Sequence, residues 1–362
     1  MQSQEISGLL PTQDGVRAVA VRFSETIESV REISTSDELP MLTSGLVDTH
    51  IHGLMGTEVS DNPESLRDIA SQGAKFGVTR TILSLVSSDQ DHTLRVLGAA
   101  ERVLGESGFA GLHLEGPFLA ESRCGAHQVS NLRDVTDEEL SQIVKSPAFS
   151  SITVAPERLS IEQLRVFANS GIVAVGHTDA DYELSANYFS SGASVLTHAL
   201  NAMPQLSSRS PGPLGAALQA DALIEIIADG EHLHPAVVSA LFAMSNKPTL
   251  VTDSISAAGL GDTELLLGEV AVRVESGVAR RIDNGALAGS TLTLNKAVSN
   301  CVGWGVSAFD AVRAASSTPA QHYKLGRQIV EQGAVADLVL WNDFEPLAVF
   351  RAGKLVHGSL IG

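Results

Sequence analysis

Five short stretches of this 362-residue chain end apolar runs with imidazoles or carboxylates, the side chains that hold metal ions and move protons. The first is Gly45-Leu46-Val47-Asp48-Thr49-His50-Ile51-His52-Gly53. In an extended strand His50 and His52 share one face, so both imidazoles can address one ion. The second, Gly111-Leu112-His113-Leu114-Glu115-Gly116-Pro117-Phe118, places Glu115 where a strand meets a turn. A carboxylate buried there is costly without a cation beside it, an exposed loop glutamate being the plainer alternative. Val175-Gly176-His177-Thr178-Asp179 and Leu196-Thr197-His198-Ala199-Leu200-Asn201-Ala202-Met203 each put a histidine after an apolar run. Singly, such a histidine reads as a hydrogen-bonded structural residue. His177 and His198 beside Glu115 make three ligands with an open position for water, the arrangement a catalytic zinc-like ion needs. In Leu250-Val251-Thr252-Asp253-Ser254, Asp253 can take a proton from water and deliver it to a leaving amine, or simply cap a helix or loop.

These groups need a scaffold that gathers residues far apart in sequence. Runs such as Thr81–Leu85, Gly111–Leu114, Ser151–Ala155, Ile172–Val175 and Leu223–Ala228 are short, apolar and separated by helical stretches, as strands buried on both faces should be. A doubly wound sheet is the competing arrangement. Polar residues recur at the C-terminal ends of several runs, which favours an α/β fold of the (β/α)8 TIM-barrel type, whose chemistry sits at that face. Alternating patterns at Val16–Ile33, Ala336–Trp341 and Pro346–Val356 predict antiparallel strands that pair the two chain ends into a small β-sandwich domain. The expected division is 1–44 and 326–362 for the small domain and 45–325 for the barrel. Ser207–Pro213 is expected as a loop over the barrel mouth.

Composition narrows the partners. A net charge of −18, from 24 basic and 42 acidic residues, opposes nucleic-acid binding. An anionic small substrate then requires local Arg, His or backbone N–H groups. Cys124 and Cys301 are widely separated and suggest neither a disulfide framework nor a thiolate zinc site, and Cys124 is expected to be a bystander. The first ten residues lack signal-peptide character and no apolar run approaches a membrane span, so a soluble cytoplasmic protein with no membrane partner is expected.

Taken in chain order, HxH, HLEGPF, GHT, THALNAM, ADGEH, TDS and LAGST resemble the motifs of the N-acetylglucosamine-6-phosphate deacetylases within the amidohydrolase superfamily, across nearly the whole chain. HxH is general to the superfamily; Leu114–Phe118 and His198–Pro204 are specific to this family. The resemblance implies that Glu115, His177 and His198 hold the principal divalent ion and His50 and His52 a second, with zinc expected and Fe2+, Mn2+ or Co2+ as alternatives, at one or two ions per subunit. Asp253 becomes general base and acid. Many superfamily relatives bridge two ions with a carboxylated lysine; none of the six lysines here falls at a strand end, so Glu115 is the expected bridge.

The same resemblance places substrate contacts at Ala126, His127, Asn201, Ala202, Arg209, Asp229, Gly230, Glu231, His232, Leu287, Ala288 and Gly289. Arg209 and His232 would hold a phosphate, and His127 would donate to the acetyl oxygen as charge develops. It also implies a homodimer in which Arg209 serves its own or a neighbouring site. The expected reaction is hydrolysis of N-acetyl-D-glucosamine 6-phosphate in amino-sugar catabolism and cell-wall sugar recycling. The rivals are an amidohydrolase acting on a cyclic amide or an N-acyl amino acid, and a non-catalytic sugar-phosphate-binding barrel.

Overall fold

A computed structural model describes residues 2–34 and 39–359. Met1, residues 35–38 and 360–362, which belong to the expected terminal segments, lie outside the described residues. Eight parallel strands alternate with eight helices: β1 (Leu46–Ile51), α1 (Pro63–Gln72), β2 (Val78–Val86), α2 (Gln90–Val103), β3 (Phe109–Glu115), α3 (Asp137–Ile143), β4 (Phe149–Val154), α4 (Ile161–Ser170), β5 (Ile172–Val175), α5 (Tyr182–Ser191), β6 (Val195–Leu196), α6 (Gly212–Gln219), β7 (Leu223–Ile226), α7 (Pro235–Met244), β8 (Pro248–Leu250) and α8 (Leu294–Gly303). The strands hydrogen-bond in sequence order from β1 to β8. Closure comes just past β8, where Ser254 bridges Ile51 in parallel and the Asp253 N–H donates to His50 O at 2.8 Å. A doubly wound sheet would leave both edges open, so the barrel expectation holds.

Local sequence explains the alternation. Every residue of β1 and of β7 is buried, as a strand between helices and a filled interior requires. Helices begin where a short polar side chain can take up a free backbone N–H: Asn62, Asp89, Thr136 and Asp181 cap α1, α2, α3 and α5, and Ser160 with Gln163 forms a reciprocal capping box on α4. Period-two alternation then layers the interior. Ile82, Ala174, Val195 and Leu223 pack with Tyr323 at the foot of the barrel, where the strands begin. One step up come Ser84, His113, Thr153, Thr197 and Glu225, all buried and polar, and above them the strand ends.

The two chain ends meet in one seven-stranded sheet, in the order Lys354–Gly358, Glu345–Arg351, Leu338–Asn342, Met41–Ser44, Gln4–Thr12, Gly15–Phe23, Ile27–Glu32. Phe23 and Phe350 stand four strands apart in that order, a span of about 19 Å in a flat sheet. Their rings lie only 5.1 Å apart, so the sheet curls onto itself and the sandwich is made from a single sheet. Sequence reading overlooked its first strand, Gln4–Thr12. It also overlooked a three-stranded antiparallel sheet, Thr263–Leu267, Val270–Glu275 and Val278–Arg281, inserted between β8 and α8. This insert leans on the barrel mouth: Glu58 accepts the Gly268 N–H at 2.6 Å, and Arg281 donates to Gly125 O at 2.9 Å. Of the expected Ser207–Pro213 loop, Ser207–Ser210 are exposed and Pro211 is half-buried, whereas Gly212 and Pro213 are buried and open α6, where proline is tolerated because the first helical N–H groups have no partner in the helix.

Candidate metal centre and active site

Glu115, the last residue of β3, is buried at the mouth with five imidazoles around it. Its Oε1 lies 3.1 Å from Nε2 of both His177 and His198 and 3.4 Å from Nε2 of His50. Its Oε2 lies 3.2 Å from Nε2 of His52 and of His127. Asp253 adds a second carboxylate, 3.1 Å from His52 Nε2 and 3.5 Å from His50 Nε2. Two ligand sets result, His50, His52, Glu115 and Asp253 in one, and Glu115, His177 and His198 in the other, with Glu115 common to both.

The opposite nitrogen of each ring separates these histidines by role. Nδ1 of His50 faces Glu225 Oε2 at 3.0 Å, that of His52 faces Ser84 O at 3.0 Å, and that of His177 faces Arg123 O at 2.7 Å. Each acceptor fixes a proton on Nδ1 and so presents an Nε2 lone pair to the centre, as metal-ligating histidines do. In His127 the polarity reverses. The Ser87 backbone N–H donates to its Nδ1 at 3.1 Å, so the neutral ring carries its proton on Nε2 and is a donor. His113 is no ligand, because both of its nitrogens are engaged, by Ser84 Oγ at 2.9 Å and Thr153 Oγ1 at 2.8 Å.

Ligand atoms about 2.0–2.1 Å from a tetrahedral ion sit about 3.3 Å from one another. The Nε2 atoms of His177 and His198 are 3.0 Å apart, and the buried His50 Nε2 has no well-formed hydrogen bond among the described residues. The residues present therefore fit a divalent ion. The backbone is held to the purpose as well: His177, His198 and Asp253 have φ of 47°, 26° and 48°, left-handed values that β-carbon-bearing residues adopt at a cost.

Charges in the cluster compensate one another. Burial pushes the Glu115 carboxyl up, but His50, His127 and its other imidazole neighbours hold it well below its ordinary value. Asp253 is likewise pushed up by burial and pulled to about 2 by His50 and His52. Burial lowers the pKa of His52, yet Asp253 and Glu115 raise it to about 9, so without an ion its Nε2 carries a proton that a bound ion would displace. Burial dominates at His127, bringing it to about 4, so this ring is neutral at physiological pH.

A cavity of about 280 Å³ opens above the cluster, at the small end for a ligand pocket. His52, Glu115, His127, His177, His198 and Asp253 form its floor; Ala126, Asn201, Ala202, His232, Leu287 and Gly289 line its walls. Gly289 sits where a β-carbon would come within 2.8 Å of Asp253 O, so its segment can run beside Asp253 only as glycine. The N–H groups of Asn201 and Ala288 are engaged by His198 O and Ala279 O, which leaves those of Ala202 and Gly289 as the donors these segments offer. Ala288 itself is buried behind the wall.

Asp229, Gly230 and Glu231 stand outside the lining, but Asp229 holds His232 through Nδ1 at 2.6 Å. Burial would raise Asp229 and lower His232; their mutual attraction outweighs it, lowering the first and raising the second. Arg209 is exposed and outside the lining. In its place the wall carries Arg123, paired with Asp179 at 2.5 Å, a basic group absent from the expected substrate contacts. A larger cavity of about 410 Å³, between the small sheet and the helix Ala308–Ala314, contains none of these residues.

A barrel whose strand ends bring imidazoles and carboxylates around one glutamate defines a metal-dependent hydrolase class, and the chain belongs to the amidohydrolase family, whose profile matches residues 41–356. Within that family it is 33% identical over 352 residues to an N-acetylglucosamine-6-phosphate deacetylase of Vibrio furnissii, covering 92% of this chain and 88% of the relative. It is 35% identical to an N-acetylgalactosamine-6-phosphate deacetylase of Shewanella sp. (strain ANA-3), covering 87% and 83%. Among solved structures, an aspartate-to-alanine variant of N-acetyl-D-glucosamine-6-phosphate deacetylase from Mycobacterium smegmatis, in complex with N-acetyl-D-glucosamine-6-phosphate, superposes with a TM-score of 0.93 at 28% identity, covering 98% of this chain and all of that one. Among the described residues no helix is long and apolar enough to cross a membrane.

Proposed function

We propose that this chain hydrolyses N-acetyl-D-glucosamine 6-phosphate to D-glucosamine 6-phosphate and acetate. One observation carries the reading: around Glu115, three imidazoles are fixed as lone-pair ligands while a fourth, His127, is fixed as a neutral donor. Ligands alone would describe a structural metal site. A hydrogen-bond donor set against them supplies what acyl transfer requires.

Glu115, His177 and His198 would hold the principal divalent ion, and His50 and His52, with Glu115 and Asp253, would hold a second. Zinc suits these nitrogen and oxygen donors first, and Fe2+, Mn2+ or Co2+ also fit. When bound, such an ion would supply Lewis acidity toward an acyl oxygen and toward water. Asp253 accepts a proton from the attacking water as its oxygen bonds to the acetyl carbon. His127 donates through Nε2 to the acyl oxygen as negative charge builds there. The C–N bond then breaks, the electron pair stays on the sugar nitrogen, and Asp253 returns the proton to it, releasing acetate.

His232, held by Asp229, which raises its pKa, lines the cavity as a contact for the phosphate, and the N–H groups of Ala202 and Gly289 supply uncharged donors. Arg209, exposed and away from its own cavity, serves the neighbouring site of a homodimer. The protein works in the cytoplasm on amino-sugar phosphates, with the chemistry in the 45–325 barrel and the 1–44 and 326–362 segments as its supporting domain.

The 35% identity to a deacetylase named for N-acetylgalactosamine 6-phosphate favours a second reading, the C4 epimer as substrate. Acetate release from the two phosphorylated sugars and from unphosphorylated N-acetylglucosamine tests both. The primary reading expects the glucosamine phosphate to have the highest kcat/KM and the unphosphorylated sugar a much lower one. A preference for the galactosamine phosphate establishes the second reading, and equal rates with and without phosphate remove the role given to His232 and Arg209.

A further inference from the structure

Glu225 is a carboxylate within the apolar strand β7, and only 2% of its surface is exposed. It lies one layer below the metal ligands and touches no part of the substrate cavity. Its Oε2 accepts from His50 Nδ1 at 3.0 Å and from the His198 backbone N–H at 3.2 Å. Thus one buried oxygen contacts a member of each ligand set, the side chain in one and only the backbone in the other.

The three fixed ligand rings are not supported alike. His52 and His177 lean on backbone carbonyls, whereas His50 leans on a full negative charge. A carboxylate behind an imidazole sets its tautomer, holds its plane and strengthens it as a donor to the ion in front. The buried His50 Nε2, 3.4 Å from Glu115 and 3.5 Å from Asp253, is the atom that gains.

We propose that Glu225 is a positioning residue that sets the affinity of the His50, His52, Glu115, Asp253 position for its ion, and so decides whether the protein holds one ion or two. The inference rests on the metal-holding reading of the cluster above, not on the identity of the sugar.

Zinc titration of the metal-stripped full-length chain against a competing chelator tests it. Wild type is expected to bind in two steps. Glu225→Gln keeps an acceptor but not the charge, and should weaken one step by about 10- to 100-fold while leaving the other within about threefold. Glu225→Leu should weaken the same step further. In a His50→Asn background, Glu225→Gln should cause no further loss, because its effect runs through His50; this arm also separates positioning from a general effect on folding. A single zinc step in wild type, equal weakening of both steps, or an undiminished Glu225→Gln effect without His50 would overturn the proposal. Two steps that split as expected in a protein that releases no acetate would keep the proposal and discard the substrate assignment.

Discussion

The two ends of the barrel solve opposite problems with the same eight strands. At the foot, Ile82, Ala174, Val195 and Leu223 close on Tyr323 in an apolar plug. Nearby His322 bonds Ser194 Oγ at 3.1 Å, and burial, aided by Lys247, lowers its pKa to about 4. At the mouth, Glu115 and Asp253 are buried as carboxylates among five histidines, and each keeps its charge because another offsets it. A lone group is held neutral where packing alone matters. Charges are buried together where chemistry is done, at a cost in stability that a site for an ion explains.

The largest effect is expected at Asp253. Asp253→Asn is expected to lower kcat by about 10²- to 10⁴-fold with KM little changed, the size of a lost general acid and base. Steady-state kinetics, with elemental analysis to verify that the principal ion is retained, checks this; near-normal turnover would end the assignment. Leu223→Ala at the foot should do the reverse. Removing a fully buried leucine costs about 2–5 kcal/mol of folding stability, while turnover per folded molecule stays at the wild-type value. Urea titration and an active-site count separate the two effects.

His127→Gln sharpens the role of the mouth donor. A loss of about 10²- to 10³-fold in kcat is expected, typical of one oxyanion donor, and a change confined to KM would place His127 with substrate binding instead. The smallest effect concerns pH. Because the folded pKa of His322, about 4, lies below the unfolded value of about 6.5, the unfolded chain takes up the proton first on acidification. Stability contributed by neutral His322 is complete above pH 6.5 and is lost as pH falls toward 4. His322→Gln should flatten that part of the stability profile, as urea midpoints across pH 4–7 would reveal.

Much of the mouth was legible in the sequence because ligand-bearing strands leave a local mark. His50 and His52 two residues apart, and Glu115 closing Gly111–Glu115, announce side chains that share a face or end a strand. What acts through space left no such mark. The Ser87 N–H that sets His127 as a donor is backbone, invisible in residue types, and Arg123 reaches the cavity wall only because its loop folds back over His177. Glu225 did leave a signal, a carboxylate inside the apolar run Leu223–Ala228, but the run read simply as a strand. Arg209 shows the converse limit: a motif position fixes the residue and not its placement, and in the fold Arg209 is exposed and outside the cavity lining. In the fold, the alternation of Thr263–Arg281 resembles ordinary surface sequence, yet its apolar positions Leu267, Val270, Val272 and Val274 are buried in a cluster of their own, and Leu267 also joins the cavity lining.

The central claim, that this cluster is a metal-dependent deacetylase centre, is tested most directly by acetate release from N-acetyl-D-glucosamine 6-phosphate before chelation, after chelation, and after zinc is restored. Turnover is expected to disappear with the metal and to return with it. Turnover that survives complete removal of metal, or a folded and zinc-loaded protein that releases no acetate, would contradict it.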